Sequence, residues 1–326
     1  MKLSVIIPTY NSEKTIERTI QSITTQARYF SDFEVICVDD GSMDHTWEIL
    51  KKIAATNHLL EIYRQENKKQ AAARNNGLKH ASGDYVMFAD ADDYWSTDVF
   101  ENILPSMNKK LTIFGIRKVY ENKQIDEVVS GIRNSQTKPE LIENYLTKNY
   151  EMDVGVWNKV FSKSVIDKND LHFSNGNFFE DSLFVLNYLQ VIQPSEINYI
   201  EKPLYILNKH TNTTTSSFSE SINSRAENYY CEVEKIISEL GLPKNKAQMV
   251  LQGLKSRLVI HISHHYILHY DQWTPKWQHS YIAKNISMRA LMANNLMGVK
   301  YKVALLMLDY CPRIYRNIYL RYKPEV

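Results

Sequence analysis

Three aspartates, Asp90, Asp92 and Asp93, stand directly after a short apolar run at residues 85–89 of the 326-residue chain. Side chains two residues apart in an extended segment point to the same side, so Asp90 and Asp92 can converge. Carboxylate oxygens suit Mg²⁺ and Mn²⁺, which usually join one or two carboxylates to the phosphates of a substrate. The group therefore predicts a divalent-metal site at the end of a strand. A solvated, aspartate-rich turn is the alternative interpretation.

Two further side chains could bind a nucleotide. Asp39 ends a second apolar run, residues 33–39, and could accept hydrogen bonds from a base or a ribose. For residues 40–42, which follow it, a turn and a helix N-cap are the simpler interpretation. Arg74 follows three alanines that would permit the close approach of a ligand, and its guanidinium suits phosphate or base edges. A solvated arginine on an amphipathic helix is the alternative.

Over the first 95 residues, segments with the apolar pattern of a strand alternate with segments that have the apolar spacing of a helix, and these elements must position the side chains. Short β-branched runs predict strands, and segments with apolar residues at helical spacing predict helices. The strands are predicted at 3–8, 33–39, 59–64 and 85–89, and the helices at 12–26, 46–55 and 70–80. This order predicts an α/β fold with a mostly parallel sheet covered by helices on both faces. Ligands bind beyond the carboxyl ends of strands in such sheets, which is where the aspartates lie.

The rest of the chain divides into a mixed part and a helical part. Strand and helix patterns alternate between residues 111 and 209, and helical patterns dominate from about residue 225. The predicted elements are strands at 112–120 and 198–207 and helices at 140–147, 181–191, 225–240, 244–270, 277–297 and 299–322, with a break near Pro312. An α-helical C-terminal region is therefore expected to follow the α/β part.

The composition is that of a globular protein, with 44% hydrophobic and 23% charged residues. The net charge of +2 gives no reason to expect nucleic-acid binding. The three cysteines form no disulfide or zinc pattern, which favours a reducing compartment. The first apolar run is too short for a signal peptide, and no run reaches the roughly 20 residues of a membrane span. A cytoplasmic location is therefore expected.

Three motifs together resemble the nucleotide-sugar-binding half of family 2 glycosyltransferases, which have the GT-A fold. They are VIIPTYN at 5–11, VDDGSMDHT at 38–46 and AAARNNGLKHASGDYVMFADADD at 71–93. WNKVF at 157–161 and FED at 179–181 are similar to the acceptor half of bacterial polysaccharide-biosynthesis members. The resemblance implies a GT-A catalytic domain over residues 1–217, with a nucleotide-sugar half (1–95) and an acceptor half (96–217). Residues 218–326 match no motif.

The resemblance implies roles for the residues at the predicted sheet edge. Thr9, Asp39 and Arg74 would hold the nucleoside, uridine, of a UDP-sugar. Asp90 would contact the ribose or the metal, and Asp92 would ligate Mn²⁺ or Mg²⁺ on the diphosphate. The metal would stabilise the charge that develops on the leaving nucleoside diphosphate.

The acceptor half supplies the remaining implied roles. Asp181 would be the general base that takes the proton of the acceptor hydroxyl, and one displacement would then invert the anomeric carbon. Trp157 and Glu180 would line the acceptor site. Many relatives carry an arginine after the acceptor region, and this chain does not. Lys209 or His210 is therefore expected to place positive charge near the diphosphate, and His210 is a second candidate metal ligand.

These motifs imply an inverting enzyme that moves a hexose or N-acetylhexosamine to a glycan or a polyprenyl-diphosphate-linked acceptor in cell-surface polysaccharide biosynthesis. A metal-dependent nucleotidyltransferase is disfavoured because no Gly-rich loop follows the first strand. A catalytically silent carbohydrate-binding or assembly subunit is disfavoured because Asp92 and Asp181 are both present.

The C-terminal region differs from the rest in charge. Residues 221–326 hold 15 Lys+Arg against 7 Asp+Glu, or +8, which leaves 24 against 30, or −6, for residues 1–220. Three tyrosines at helical spacing alternate with three arginines near the end: Tyr315, Tyr319 and Tyr322 with Arg313, Arg316 and Arg321. Such a segment is typical of a helix in the interface of an anionic membrane, here the inner leaflet of the cell membrane. Packing onto the catalytic domain, or a homodimer contact, is the alternative.

Overall fold

The computed structural model describes residues 2–174, 179–209 and 220–322. The chain divides into two compact units, the first formed by residues 1–176 and 180–209 and the second by residues 177–179 and 210–326. The division predicted after residue 217 falls outside the described residues and stays a prediction.

The first unit is a mixed sheet with helices. Its strands are β1 (Leu3–Thr9), β2 (Phe33–Asp39), β3 (Leu60–Arg64), β4 (Tyr85–Phe88), β5 (Tyr94–Trp95), β6 (Leu111–Tyr120), β7 (Lys123–Glu127), β8 (Lys159–Ser162) and β9 (Ile197–Asn208). Its helices are α1 (Ile16–Thr24), α2 (Thr46–Ala54), α3 (Lys69–His80), α4 (Val99–Ile103), α5 (Lys138–Lys148), α6 (Glu151–Val154), α7 (Lys163–Lys168) and α8 (Glu180–Val191). The predicted α/β fold is confirmed.

The strand order is β3-β2-β1-β4-β8-β6-β9-β5, and β7 pairs with β6. β1 pairs in parallel with β2 and β4, and β2 pairs in parallel with β3, as the first 95 residues predict. The second half of the unit adds antiparallel pairs, which begin where β8 joins β4. The prediction of a mostly parallel sheet therefore holds for β1–β4, whereas the complete sheet is mixed.

Helix α3 lies close to the centre of this sheet because of Gly77. A Cβ at this position would stand 2.4 Å from Ile6 Cγ2 on β1, closer than two carbon atoms can approach. β1 is buried along its whole length, which fits its apolar sequence between two neighbouring strands. The glycine thus lets α3 carry Arg74 to the carboxyl end of the sheet.

The second unit is helical over its described residues. Its helices are α9 (Ile222–Glu239), α10 (Lys244–His269), α11 (Pro275–Asn285), α12 (Met288–Ala293), α13 (Val299–Tyr310) and α14 (Pro312–Tyr322). The single helix predicted at 277–297 was wrong. The segment forms two helices, because the Ser287 side chain accepts a hydrogen bond from Ala290 N and caps the N-terminus of α12. In the described chain, no helix is both long and apolar enough to traverse a bilayer.

Tyr315 and Tyr319 do not form an outer face of the tail, contrary to their predicted placement. Both are half-buried and pack against an apolar cluster that includes Leu305 and Leu308 of α13. The Tyr315 hydroxyl also lies 2.7 Å from Nε2 of His264. Helical spacing groups residues on one face without showing whether that face points inward, and here it does. The Tyr322 side chain lies outside the described part of the chain.

Candidate functional site

Thr9 and Asp39 stand side by side at the carboxyl ends of β1 and β2, where the parallel register pairs them. Both side chains are buried. Thr9 Oγ1 and Asp39 Oδ2 have no hydrogen-bond partner within the described chain. Arg64 Nε lies 3.0 Å from Asp39 Oδ2 as an ion pair, outside hydrogen-bond geometry. Buried polar atoms are nearly always hydrogen-bonded, so these two oxygens are suited to a ligand.

The turn after Asp39 is held by the adjacent loops. Asp40 Oδ1 accepts hydrogen bonds from Gln65 Nε2 and from the backbone of Lys68, both at 2.8 Å. Ser42 Oγ accepts one from Asn11 N at 2.9 Å. The turn interpretation is therefore supported, and its polar side chains fix the loops that follow β1 and β2. The N-cap interpretation was wrong, because His45 is the N-cap residue of α2 and no side chain caps this helix.

The three aspartates after β4 occupy three different environments. Asp93 is buried and accepts hydrogen bonds from the Tyr205 hydroxyl at 2.9 Å and from Asn208 N at 2.7 Å. Burial, with the charges of Asp90 and Asp92, raises the pKa of Asp93 well above its usual range. Asp90 is half-buried, whereas Asp92 is exposed. Asp92 is therefore the member of the group that faces solvent.

Arg74 brings the two halves of the first unit together. Its buried guanidinium donates from Nη2 to Asp90 Oδ1 at 2.9 Å and from Nη1 to Asp181 Oδ1 at 2.5 Å. Glu180 Oε1 lies 3.7 Å from the same Nη1. Arg74 Nε has no hydrogen-bond partner in the described residues. One buried cation thus faces three carboxylates, and the solvated-arginine interpretation was wrong.

Asp181 lies in the first turn of α8 with its side chain 26% exposed. Burial, opposed by the charge of Arg74 and reinforced by the charges of Glu180 and Asp90, raises the pKa of Asp181 to about 8. A carboxylate whose pKa lies near neutral pH is matched to accepting a proton from a substrate hydroxyl. The hydrogen bond with Arg74 distinguishes Asp181 from an ordinary acidic residue in the first turn of a helix.

Trp157 is nearly buried, and its ring stacks on Tyr205 at 5.0 Å and 19°. The Tyr205 hydroxyl donates to Asp93 and accepts a hydrogen bond of 3.0 Å from Asp90 N. Trp157 therefore connects through Tyr205 to the loop of three aspartates. Sequence reasoning gave Tyr205 no role, because a tyrosine in a strand is ordinary and its hydrogen bonds form only in the folded chain.

Lys159 was also missed as a positioning residue. Its buried ammonium donates to Met152 O at 2.7 Å, to Gly155 O at 2.5 Å and to Asn158 Oδ1 at 3.0 Å. Burial lowers the pKa of Lys159 to about 7. These bonds gather the chain around residues 152–158 and so hold Trp157 in place.

The predicted sources of positive charge after β9 are only partly described. Lys209 forms an ion pair with Glu151, which also pairs with Lys118 at 2.8 Å. His210 lies outside the described residues, and its metal role stays a prediction. Within the described ranges, no three His, Cys, Asp or Glu side chains are grouped to hold a metal ion.

The model of the family described as Glycosyl transferase family 2 matches residues 4–170. The chain belongs to glycosyl transferase family 2. This assignment confirms the family resemblance, and it argues against the nucleotidyltransferase alternative.

Several bacterial proteins are similar in sequence. EpsJ of Bacillus subtilis, an uncharacterized glycosyltransferase, is 29% identical over 65% of this chain and 62% of its own length. TarP of Staphylococcus aureus, a poly(ribitol-phosphate) β-N-acetylglucosaminyltransferase, is 29% identical over 75% of each chain. WfaP of Escherichia coli, a UDP-Glc:α-D-GlcNAc-diphosphoundecaprenol β-1,3-glucosyltransferase, is 36% identical over 41% of this chain and 51% of its own. The chain thus spans less than two thirds of EpsJ and WfaP.

Two solved structures share the fold. S. aureus TarS 1–349 in complex with UDP-GlcNAc has a TM-score of 0.66 at 23% identity, over 99% of this chain and 92% of the other. The mannosyltransferase PcManGT of Pyrobaculum calidifontis, in complex with GDP-Man and Mn²⁺, has a TM-score of 0.55 at 18% identity, over 99% and 87%. At these identities the likeness concerns the fold alone.

Proposed function

We propose that this family 2 protein is an inverting glycosyltransferase that uses a UDP-sugar and transfers a hexose or an N-acetylhexosamine. The observation that carries the proposal is the contact of Arg74 with both Asp90 and Asp181. It joins the predicted catalytic carboxylate to the loop predicted to face the sugar diphosphate. A base and a leaving group must flank one anomeric carbon, and this contact supports such an arrangement.

The nucleoside is proposed to bind at Thr9 and Asp39. The two buried oxygens that lack hydrogen-bond partners there could accept the hydrogen bonds of a uracil N–H and a ribose hydroxyl. Asp39 is acceptor-only when ionised, which suits a pyrimidine N–H donor. The UDP-GlcNAc and UDP complexes of the structural neighbour TarS agree with uridine as the base.

A divalent cation, Mn²⁺ or Mg²⁺, is proposed to bind at Asp92. The residues fit such a cation because an exposed carboxylate stands beside the half-buried Asp90. Mg²⁺-type sites need only one or two protein carboxylates when substrate phosphates and waters complete the coordination. When bound, the cation would neutralise charge on the diphosphate. PcManGT was solved with Mn²⁺ and a sugar nucleotide, which agrees with this choice.

Asp181 is proposed to remove the proton of the acceptor hydroxyl. The acceptor oxygen forms a bond to the anomeric carbon as the carbon–oxygen bond to the diphosphate breaks, and the electron pair leaves with UDP. The proton moves to the Asp181 carboxylate, and a single displacement inverts the anomeric centre. Arg74 holds Asp181 Oδ1 throughout, which fixes the direction from which the carboxylate meets the hydroxyl.

The acceptor is proposed to be a glycan or a polyprenyl-diphosphate-linked sugar that meets Trp157 and Glu180. Trp157 is 6% exposed, and Tyr205 covers one face of its indole. Glu180 stands beside Asp181 on α8 with its carboxylate 3.7 Å from Arg74. The name of WfaP describes a diphosphoundecaprenol-linked acceptor, which supports a lipid-linked substrate and a place for the enzyme at the inner membrane surface.

Isothermal calorimetry with a panel of UDP-sugars tests the proposal. The chain is titrated with UDP-glucose, UDP-galactose, UDP-GlcNAc and UDP-GalNAc, with Mn²⁺ and with excess chelator. We expect one donor to bind with Mn²⁺ and to bind more weakly with chelator. GDP-mannose serves as the matched control. The proposal would be contradicted if GDP-mannose bound more tightly than every UDP-sugar, or if none of the sugar nucleotides bound.

A further inference from the structure

Helix α13 is apolar on two opposite faces. Leu305 and Leu308 point into the core of the second unit and are fully buried. Val299, Val303 and Tyr310 share the other face, because they are separated by four and seven residues. Val299 is 75% exposed and Tyr310 is 68% exposed. Exposed apolar stripes bordered by polar residues are typical of interaction sites.

Helix α14 also exposes apolar residues, and they are not the ones expected from the sequence. Tyr315 and Tyr319 point inward, which leaves Ile314 and Ile318 on the outside at a spacing of four. Ile314 is 56% exposed. We call Val299, Val303, Tyr310, Ile314 and Ile318 the outer apolar face.

The charges around the outer apolar face have one sign. α13 and α14 carry the cations Lys300, Lys302, Arg313, Arg316 and Arg321. Their one acidic residue, Asp309, is buried and lies 2.7 Å from His279 Nδ1. Lys300 and Lys302 flank the stripe of α13 on either side, since each lies about 60 to 100° around the helix from its members. Arg316 is the exception, because it lies on the opposite side of α14 from Ile314 and Ile318, with its guanidinium over the Trp273 ring. The other four cations border the exposed apolar residues.

We propose that the outer apolar face lies on an anionic lipid bilayer, with its side chains at the acyl boundary and the cations against the headgroups. Apolar residues bordered by Lys and Arg are the pattern of helices that lie in the interface. Each cation near an anionic surface adds to the attraction, and none of it is offset by an exposed carboxylate on these two helices. The inference rests on the proposed function in one respect: a lipid-linked acceptor would lie at the bilayer surface, where the enzyme must bind it.

A second copy of the chain is the competing occupant. Two copies that met through this face would bring two sets of cations together with no exposed acid on α13 or α14 to pair with them. An anionic bilayer, in contrast, attracts the same cations through its headgroups. Charge complementarity therefore favours lipid.

Vesicle flotation of the full chain tests the inference. Phosphatidylcholine vesicles with and without phosphatidylglycerol are compared, using the wild type, Val303→Asp combined with Ile314→Asp, and Lys300→Glu combined with Arg313→Glu. We expect flotation only with phosphatidylglycerol and weakening of about tenfold or more by either pair. Ile125→Asp combined with Val129→Asp, which places the same two charges at exposed apolar residues of the first unit, is the matched control and should float like the wild type.

Three readings separate the outcomes. Circular dichroism shows whether each variant is folded, and release of UDP from a soluble acceptor reaction reports the proposed function independently of lipid. Absence of wild-type flotation with phosphatidylglycerol would overturn the inference, even if UDP release is normal. A dimer in sedimentation that Val303→Asp and Ile314→Asp dissociate, without any flotation, would assign the face to a second copy instead.

Discussion

Nη1 of Arg74 donates a hydrogen bond of 2.5 Å to Oδ1 of Asp181, across 107 residues of sequence. The same guanidinium donates to Asp90 at 2.9 Å. Because Arg74 is buried and has three carboxylates around it, it controls both the position and the charge of the proposed base. The pH dependence of transfer should therefore report on Arg74.

Transfer by the wild type should rise with pH through the pKa of Asp181, which burial raises to about 8. The base must be ionised to accept a proton, so activity is lost as the pH falls below that pKa. Arg74→Lys keeps a cation but cannot donate to two carboxylates in the same way, so the pKa should rise further. The pH profile of kcat at saturating substrates measures this. An unchanged midpoint with a lower kcat would show that Arg74 does not tune the base.

Thr9→Val should weaken UDP binding without reducing stability. The Thr9 hydroxyl is buried and has no hydrogen-bond partner in the described structure, so its removal costs the folded chain nothing. A hydrogen bond to the ligand would be lost, which is worth about 0.5–1.5 kcal/mol. Calorimetry and thermal unfolding measure the two effects.

Thr112→Val is the matched control for Thr9→Val. Thr112 is equally buried, but its hydroxyl lies 3.2 Å from Ser106 Oγ. This variant should lower the free energy of unfolding and leave UDP binding unchanged. If Thr9→Val binds UDP as the wild type does, Thr9 is not part of the nucleoside site.

Tyr205→Phe should destabilise the chain and loosen the aspartate loop. The variant keeps the ring that stacks on Trp157 but removes the hydroxyl that bonds to Asp93 and Asp90 N. Leaving these buried groups unpaired costs about 1–3 kcal/mol. Thermal unfolding should show the loss, and Tyr29→Phe, at an exposed ring, should not. Equal stability of the two variants would be inconsistent with the described bonds.

Asp92→Ala should reduce the affinity for Mn²⁺ in the presence of UDP and leave thermal stability near that of the wild type. Asp92 is exposed, so its truncation disturbs no core packing. Asp98→Ala is unsuitable as a control because Asp98 accepts hydrogen bonds from Ser96 and Asn102. Asp271→Ala, at an exposed position in the second unit, serves instead. Unaltered Mn²⁺ dependence in Asp92→Ala would place the metal elsewhere.

Several strands of the first 95 residues were predictable because their apolar runs are buried along all or nearly all of their length. β1 and β2 are examples, since every residue of each is buried. β8 has four residues and forms through antiparallel pairing with β4 and β6, which no local pattern reveals. The prediction of one helix at 277–297 was wrong for a local reason. Ser287 caps a second helix and so interrupts an otherwise continuous helical pattern.

The candidate site was predictable in its residue types and not in its contacts. Asp90 and Asp92 follow a strand end, and motif resemblance singled out Arg74 and Asp181. Sequence could not show that Arg74 would be buried between Asp90 and Asp181, because these residues meet only when the sheet is complete. The direction of the tail tyrosines was likewise set by tertiary packing rather than by spacing.

The most direct test of the proposed function compares transfer by the wild type and by Asp181→Asn. Each is incubated with Mn²⁺, the UDP-sugar that binds and a panel of glycan and polyprenyl-diphosphate acceptors, and the glycosylated product is measured. We predict that the substitution lowers kcat by about 10²–10⁴ while donor affinity stays within a small factor of the wild type. An Asp181→Asn enzyme that transfers at the wild-type rate would contradict the assignment of Asp181 as the base.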